Sequence, residues 1–185
     1  MQFEELFGEA TLKTLALATA EDARLHLVAG HPLRAAFSAA HSFQIAGQRS
    51  WSEDDQSRME RALKDEVKAR LRSGDDTTAA WRAGYLILLG ARPEWQEEDL
   101  RRMVRAVSPR GSVRAWTRMW FAGQAADYLL LTGTTFWTPE DLRRMLDAVR
   151  EDFALRLRNG DKLMAADRVV LYKVLAAGQA DEASA

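Results

Sequence analysis

The chain has 185 residues, 47% apolar and 29% charged, and its 26 basic and 27 acidic side chains leave a net charge of −1. That length supports a sizeable core, and the composition excludes a wholly disordered chain. The charge balance excludes a long-range pull of the whole molecule toward nucleic acid or membranes, and the absence of cysteine excludes disulfides, thiolate zinc sites, iron–sulfur clusters and cysteine nucleophiles.

In chain order, residues 2–29 predict an amino-terminal helix or helix pair that ends before Gly30 and Pro32. Glu4, Glu5 and Glu9 stand where an export signal carries positive charge, so this segment reads as part of the domain. With no thiols to protect or pair, the expected compartment is the cytoplasm. Next come three helical hairpins, 33–47 with 53–72, 77–90 with 97–107, and 112–132 with 139–158. A last helix spans 163–177. The expected architecture is all-α: one domain over 1–178, a compact bundle of about seven or eight helices, with 179–185 as a disordered tail. The longest apolar runs, "YLILLGA" and "MWFAGQAADYLLLTG", fall short of the ~20 residues of a membrane span, so no membrane partner is expected.

The hairpins are read as internal repeats, 33–72, 77–107 and 112–158, with 163–177 as a half-repeat. "WSEDDQSRMERAL", "WQEEDLRRMVRAV" and "WTPEDLRRMLDAV" align Trp51, Trp95 and Trp137, with an aspartate four residues on and a methionine eight residues on. Upstream, Gly47, Gly90 and Gly133 are spaced 43 residues apart, each where a helix ends in a left-handed residue. Ser52 and Thr138 then serve as N-caps, Asp55 and Asp141 lie three residues after them, and Pro139 takes the first helical position. Trp137 with Leu142 and Trp95 with Leu100 form hydrophobic staples, whereas Trp51 meets only Gln56. Met145, Ala148, Val149 and Phe153 mark the buried face of the third copy. Residues 67–89 also match 153–175 at an offset of 86 residues. Too few units are present for an open array, which favours a closed bundle.

Chemistry has few footholds. Residues 100–126 hold Arg101, Arg102, Arg105, Arg110, Arg114 and Arg118 and no acidic residue. With Trp116 or Trp120 as a stacking surface, they form the candidate nucleic-acid site, set against a reading as partners for helix-start carboxylates. The acidic clusters at each helix start read as caps. His26, His31 and His41 fit no zinc spacing, so no metal and no cofactor are expected. His41 and Asp127 occupy equivalent repeat positions, where the middle copy has Gly84, and a contact between them is expected to be structural. The expected function is a non-enzymatic helical interaction protein that binds a protein partner or forms a homo-oligomer, with nucleic-acid binding through 101–118 as the alternative. No catalytic residue is assigned. A buried polar pocket joining His41 and Asp127 would revive an enzymatic reading.

Overall fold

The computed structural model describes residues 3–108, 118–135 and 137–182. Among them are nine helices: α1 (Phe3–Phe7), α2 (Glu9–Val28), α3 (Pro32–Ala46), α4 (Glu53–Ser73), α5 (Asp76–Leu88), α6 (Glu97–Val107), α7 (Arg118–Thr132), α8 (Pro139–Arg158) and α9 (Lys162–Glu182). No strand occurs among the described residues. The amino-terminal segment is a helix pair, broken at Gly8 with φ +77°. At the other end α9 continues to Glu182, through most of the segment expected to be a disordered tail. Gly178 packs closely there, since a Cβ on it would lie 2.8 Å from Leu129 Cδ2 on α7 and that side chain would have to shift. Residues 183–185 of that tail lie outside the described residues.

The recurring tract marks helix beginnings. Gly47, Gly90 and Gly133 have φ of +70°, +91° and +69°, a conformation that costs a side-chain-bearing residue about 1–2 kcal/mol. Ser52 Oγ accepts from Asp55 N and Thr138 Oγ1 from Asp141 N, each at 3.1 Å, while Gln96 makes no side-chain cap. Trp137 and Leu142 share one apolar cluster, as the staple predicts. Trp51 forms a polar version instead, its indole Nε1 donating to Gln56 Oε1 at 2.6 Å, and Gln56 Nε2 donates to the Leu89 carbonyl at 3.2 Å. Thr138→Ala is expected to lower the unfolding free energy by about 1 kcal/mol, with Gln96→Ala near zero, as read by urea denaturation.

Packing follows one regular rule. Helices α3, α5, α7 and α9 touch in a closed cycle, each against the next and α9 against α3. Each outer helix spans a neighbouring inner pair: α4 lies on α3 and α5, α6 on α5 and α7, α8 on α7 and α9, and α2 on α9 and α3. The contact of α2 with α9 closes the ring and makes the molecule compact. The most extensive pairings join α2 with α3, α4 with α5, and α8 with α9. The sequence pairs α3 with α4, α5 with α6 and α7 with α8; α3 and α5 instead pack more extensively on the outer helix before them, α2 and α4, whereas α7 packs on α8 at least as extensively as on α6. The cause is linker length. Gly30 and Gly74 reverse the chain within two or three residues, whereas the glycine–tryptophan linkers 47–52 and 90–96 are longer and the helices they join pack less extensively.

Small residues let the rings approach. Ala36, Ala79, Ala122 and Ala165 recur every 43 residues on the inner helices, and each is fully buried. The apolar core is consequently distributed between the inner and outer rings, in four clusters. The predicted face of α8, Met145, Ala148, Val149 and Phe153, is buried in it. Helix α7, apolar nearly all round, is an inner helix. Among the described residues no helix is long and apolar enough to cross a membrane.

Candidate ligand site

Because one outer helix separates each inner helix from the next, the inner helices run in the same direction and present equivalent residues at equal depth. Two such layers face the ring axis. Ser38, Trp81, Gln124 and Asp167 form one, and His41, Gly84, Asp127 and Val170 form the next, about one turn deeper. All eight line a cavity of about 720 Å³. Leu88, Leu130 and Val174 separate it from a smaller hollow of about 300 Å³ at the opposite end of the ring, where Lys173 Nζ donates to the Gln44 carbonyl at 2.7 Å. At the mouth stand Trp81, Trp120, Leu163 and Met164, which are 44%, 56%, 40% and 37% exposed.

A polar triangle occupies one wall. Tyr85 Oη donates to Asp167 Oδ1 at 3.1 Å, and His41 Nε2 lies 3.2 Å from both the Tyr85 hydroxyl and Asp167 Oδ1. Arg168 completes it, with Nη1 on Asp167 Oδ2 and Nε donating to Asp152 Oδ2 of α8 at 2.5 Å. Burial pushes the Asp167 carboxyl up, but the His41 hydrogen bond and charge, with Arg168 and Tyr85, outweigh that and leave it below the ordinary carboxylate value. Burial, with the Asp167 charge beside it, holds the Tyr85 hydroxyl well above its usual value, so it stays neutral.

Asp127 is the opposite case. No hydrogen bond or ion pair joins its carboxyl to another described residue. Burial and then the nearby Asp167 charge push it up to about 7. Two carboxyls of one cavity are thus pushed in opposite directions from the ordinary carboxylate value, an arrangement typical of functional sites. The backbone makes room for Asp127: a Cβ on Gly84 would meet Asp127 Oδ1 at 3.0 Å and Leu130 Cδ1 at 3.3 Å, whereas one on Gly123 would meet nothing within 4 Å. Gly123→Ala is therefore expected to stabilise the fold by up to ~1 kcal/mol through helix propensity. Gly84→Ala should gain less, because Asp127 and Leu130 must move. Equal gains in paired thermal melts would contradict this geometry.

The aromatic wall is braced from outside the cavity. The Arg82 guanidinium lies 4.4 Å from the Phe37 ring centroid and 4.3 Å from that of Trp81, and Tyr85 packs edge-on to Phe37. Burial lowers the Arg82 pKa, and its Nε and Nη1 are buried with no hydrogen-bond partner among the described residues.

His41 and Asp127, for which any contact is expected to be structural, do not touch. Both residues line the cavity, but His41 turns to Tyr85 and Asp167, which satisfy it, and leaves Asp127 unpaired. Sequence reasoning missed Tyr85, Asp167, Arg168 and Gln124. The available signal was Asp167, a lone acid within "LMAADRVVLYKVL" at the position equivalent to Trp81.

The candidate nucleic-acid residues are placed differently. Arg101 pairs with Glu97 at 2.5 Å and Arg102 with Asp76 at 2.6 Å and the Leu71 carbonyl at 2.7 Å, while Arg105 is exposed on the same helix. Arg118 opens α7, and Trp120 lines the cavity mouth. Arg110, Arg114 and Trp116 lie outside the described residues. The described part of the set is therefore divided between α6, which carries Arg101, Arg102 and Arg105, and α7, which carries Arg118 and Trp120.

No family model, curated protein or solved structure matches the chain significantly.

Proposed function

We propose that the protein binds a small, mainly apolar molecule inside the helical ring and holds it without covalent chemistry. The observation that carries this reading is a cavity of about 720 Å³ that leads from an exposed apolar mouth to an unpartnered carboxyl. Ligand cavities have this character: apolar walls, a volume of roughly 300–1,000 Å³ and a few polar groups that fix orientation. The ring itself reads as four outer–inner hairpins of one ancestral unit, α2–α3, α4–α5, α6–α7 and α8–α9, supported by the 43-residue recurrence of buried alanines. Four such units set four equivalent side chains at each depth, so sequence divergence at one layer changes the ligand without disturbing the shell.

The test uses N-phenyl-1-naphthylamine, whose emission rises in apolar surroundings. Saturable uptake by the wild type, reduced at least about tenfold in affinity by Gly123→Leu, is the expected result. Uptake unaffected by that filling substitution contradicts the reading. Recovery of a bound compound in altered form would turn it from binding to catalysis.

A second reading has its own observation. Leu17, Leu25 and Val28 lie on one face of α2 and are 63%, 52% and 77% exposed, an apolar stripe suited to a second copy of the chain. Light scattering across a dilution series is expected to show a dimer that Leu25→Glu dissociates; a monomer at every concentration removes it.

A further inference from the structure

Resting on the reading of the ring cavity as a ligand site, we propose that it takes an apolar-bodied primary amine whose ammonium group sits against the Asp127 carboxylate. The charges facing the cavity leave one vacancy, and it is negative. From α3 comes His41, which is engaged with Asp167 and Tyr85. From α5 comes Tyr85, which donates to Asp167. From α9 come Asp167 and Arg168, and Arg168 is committed to Asp167 and Asp152. From α7 comes Asp127, with no partner among the described residues.

An anionic ligand would add charge of the same sign beside Asp127 and Asp167. A neutral one would leave Asp127 uncompensated whenever it ionises. An ammonium compensates it and forms the stronger, charge-assisted kind of hydrogen bond. Gln124 stands three residues before Asp127 on the same face of α7 and supplies an amide oxygen for a second N–H. The open space over Gly123, one turn from Asp127, accommodates the methylenes next to the nitrogen. Phe37 and Trp81 then receive the apolar body. The exchange balances in protons: the amine arrives as the ammonium ion, the Asp127 carboxyl gives up its proton to solvent, and the ion pair remains.

The experiment titrates the full chain with 4-phenylbutylamine, 4-phenylbutanol and 4-phenylbutanoate by calorimetry at about pH 6.5, in two buffers of different protonation enthalpy. Affinity for the amine is expected to exceed that for the alcohol by at least about tenfold, with proton release on binding and the carboxylate weakest. Asp127→Asn should bring the amine down to the level of the alcohol and leave the alcohol unchanged. Equal binding of amine and alcohol to the wild type without proton release overturns the amine assignment and leaves the cavity reading standing. Failure of all three compounds to bind overturns both. Should Asp127→Asn not fold, the wild-type amine-to-alcohol ratio and the proton release decide the matter alone.

Discussion

Asp127→Asn is expected to raise the unfolding free energy at about pH 8 by on the order of 3 kcal/mol, a discount from the full shift that allows for water in an open cavity. The sign follows from the direction of the shift. The folded protein holds the Asp127 proton up to about 7, against an ordinary value of 3.8. The folded state therefore binds that proton more tightly than the unfolded chain does. Its contribution to stability is complete below about pH 4, is lost as pH rises through 7, and leaves a buried, unpaired carboxylate above that. Asparagine has no such dependence. The difference in unfolding free energy between the two proteins should be small at about pH 4 and widen to a plateau above about pH 8. Asp167 titrates in the opposite sense, its stabilisation being lost as pH falls, but it is common to both proteins and drops out of the difference to first order. A substitution that stabilises the fold while abolishing amine preference is the signature of a residue kept for binding.

Arg168→Met should cost about 3 kcal/mol, the largest loss among the substitutions considered, because it removes the guanidinium shared by two partly buried carboxylates and leaves Asp152 with Arg156 and Asp167 with His41 as their remaining ion-pair partners. The Arg168, Asp152 and Asp167 side chains are only 14%, 17% and 24% exposed, so water compensates poorly. Arg168→Lys should recover only part of the loss, since an ammonium cannot reproduce the guanidinium's fork between α8 and α9. The double substitution Arg168→Met with Asp152→Asn should be more stable than Arg168→Met alone. Urea denaturation of the four proteins measures all of this, and a cost below about 1 kcal/mol for Arg168→Met would show the pair to behave as an exposed one.

Local devices were legible in the sequence because their causes are local. Gly47, Gly90 and Gly133 announce left-handed turns, and Ser52 and Thr138 announce caps, through the few residues around them. The closure of the ring was not legible. It depends on α2 meeting α9, and no residue near either helix encodes the distant partner. The tryptophan tract misled the pairing of α3 and α5, because it is the most repetitive string in the chain yet follows linkers longer than the short reversals at Gly30 and Gly74, which carry less sequence around them. The site was half visible. The equivalence of His41, Gly84 and Asp127 could be read from spacing, but the fourth member, Val170, and the companion layer with Asp167 required the inner helices to be counted as four. Tyr85 was invisible as a functional residue, since a tyrosine in "WRAGYLILL" reads as core until Asp167 is placed against its hydroxyl.

The most direct test is the titration of the Asp127 side-chain carboxyl by carbon-13 NMR, assigned by the signal that Asp127→Asn removes. A cavity carboxyl without a partner should titrate near 7 in the free protein and fall by at least about one unit when 4-phenylbutylamine is added. A midpoint near 4 that the amine does not move would mean that Asp127 is hydrated or already paired, and would contradict the account.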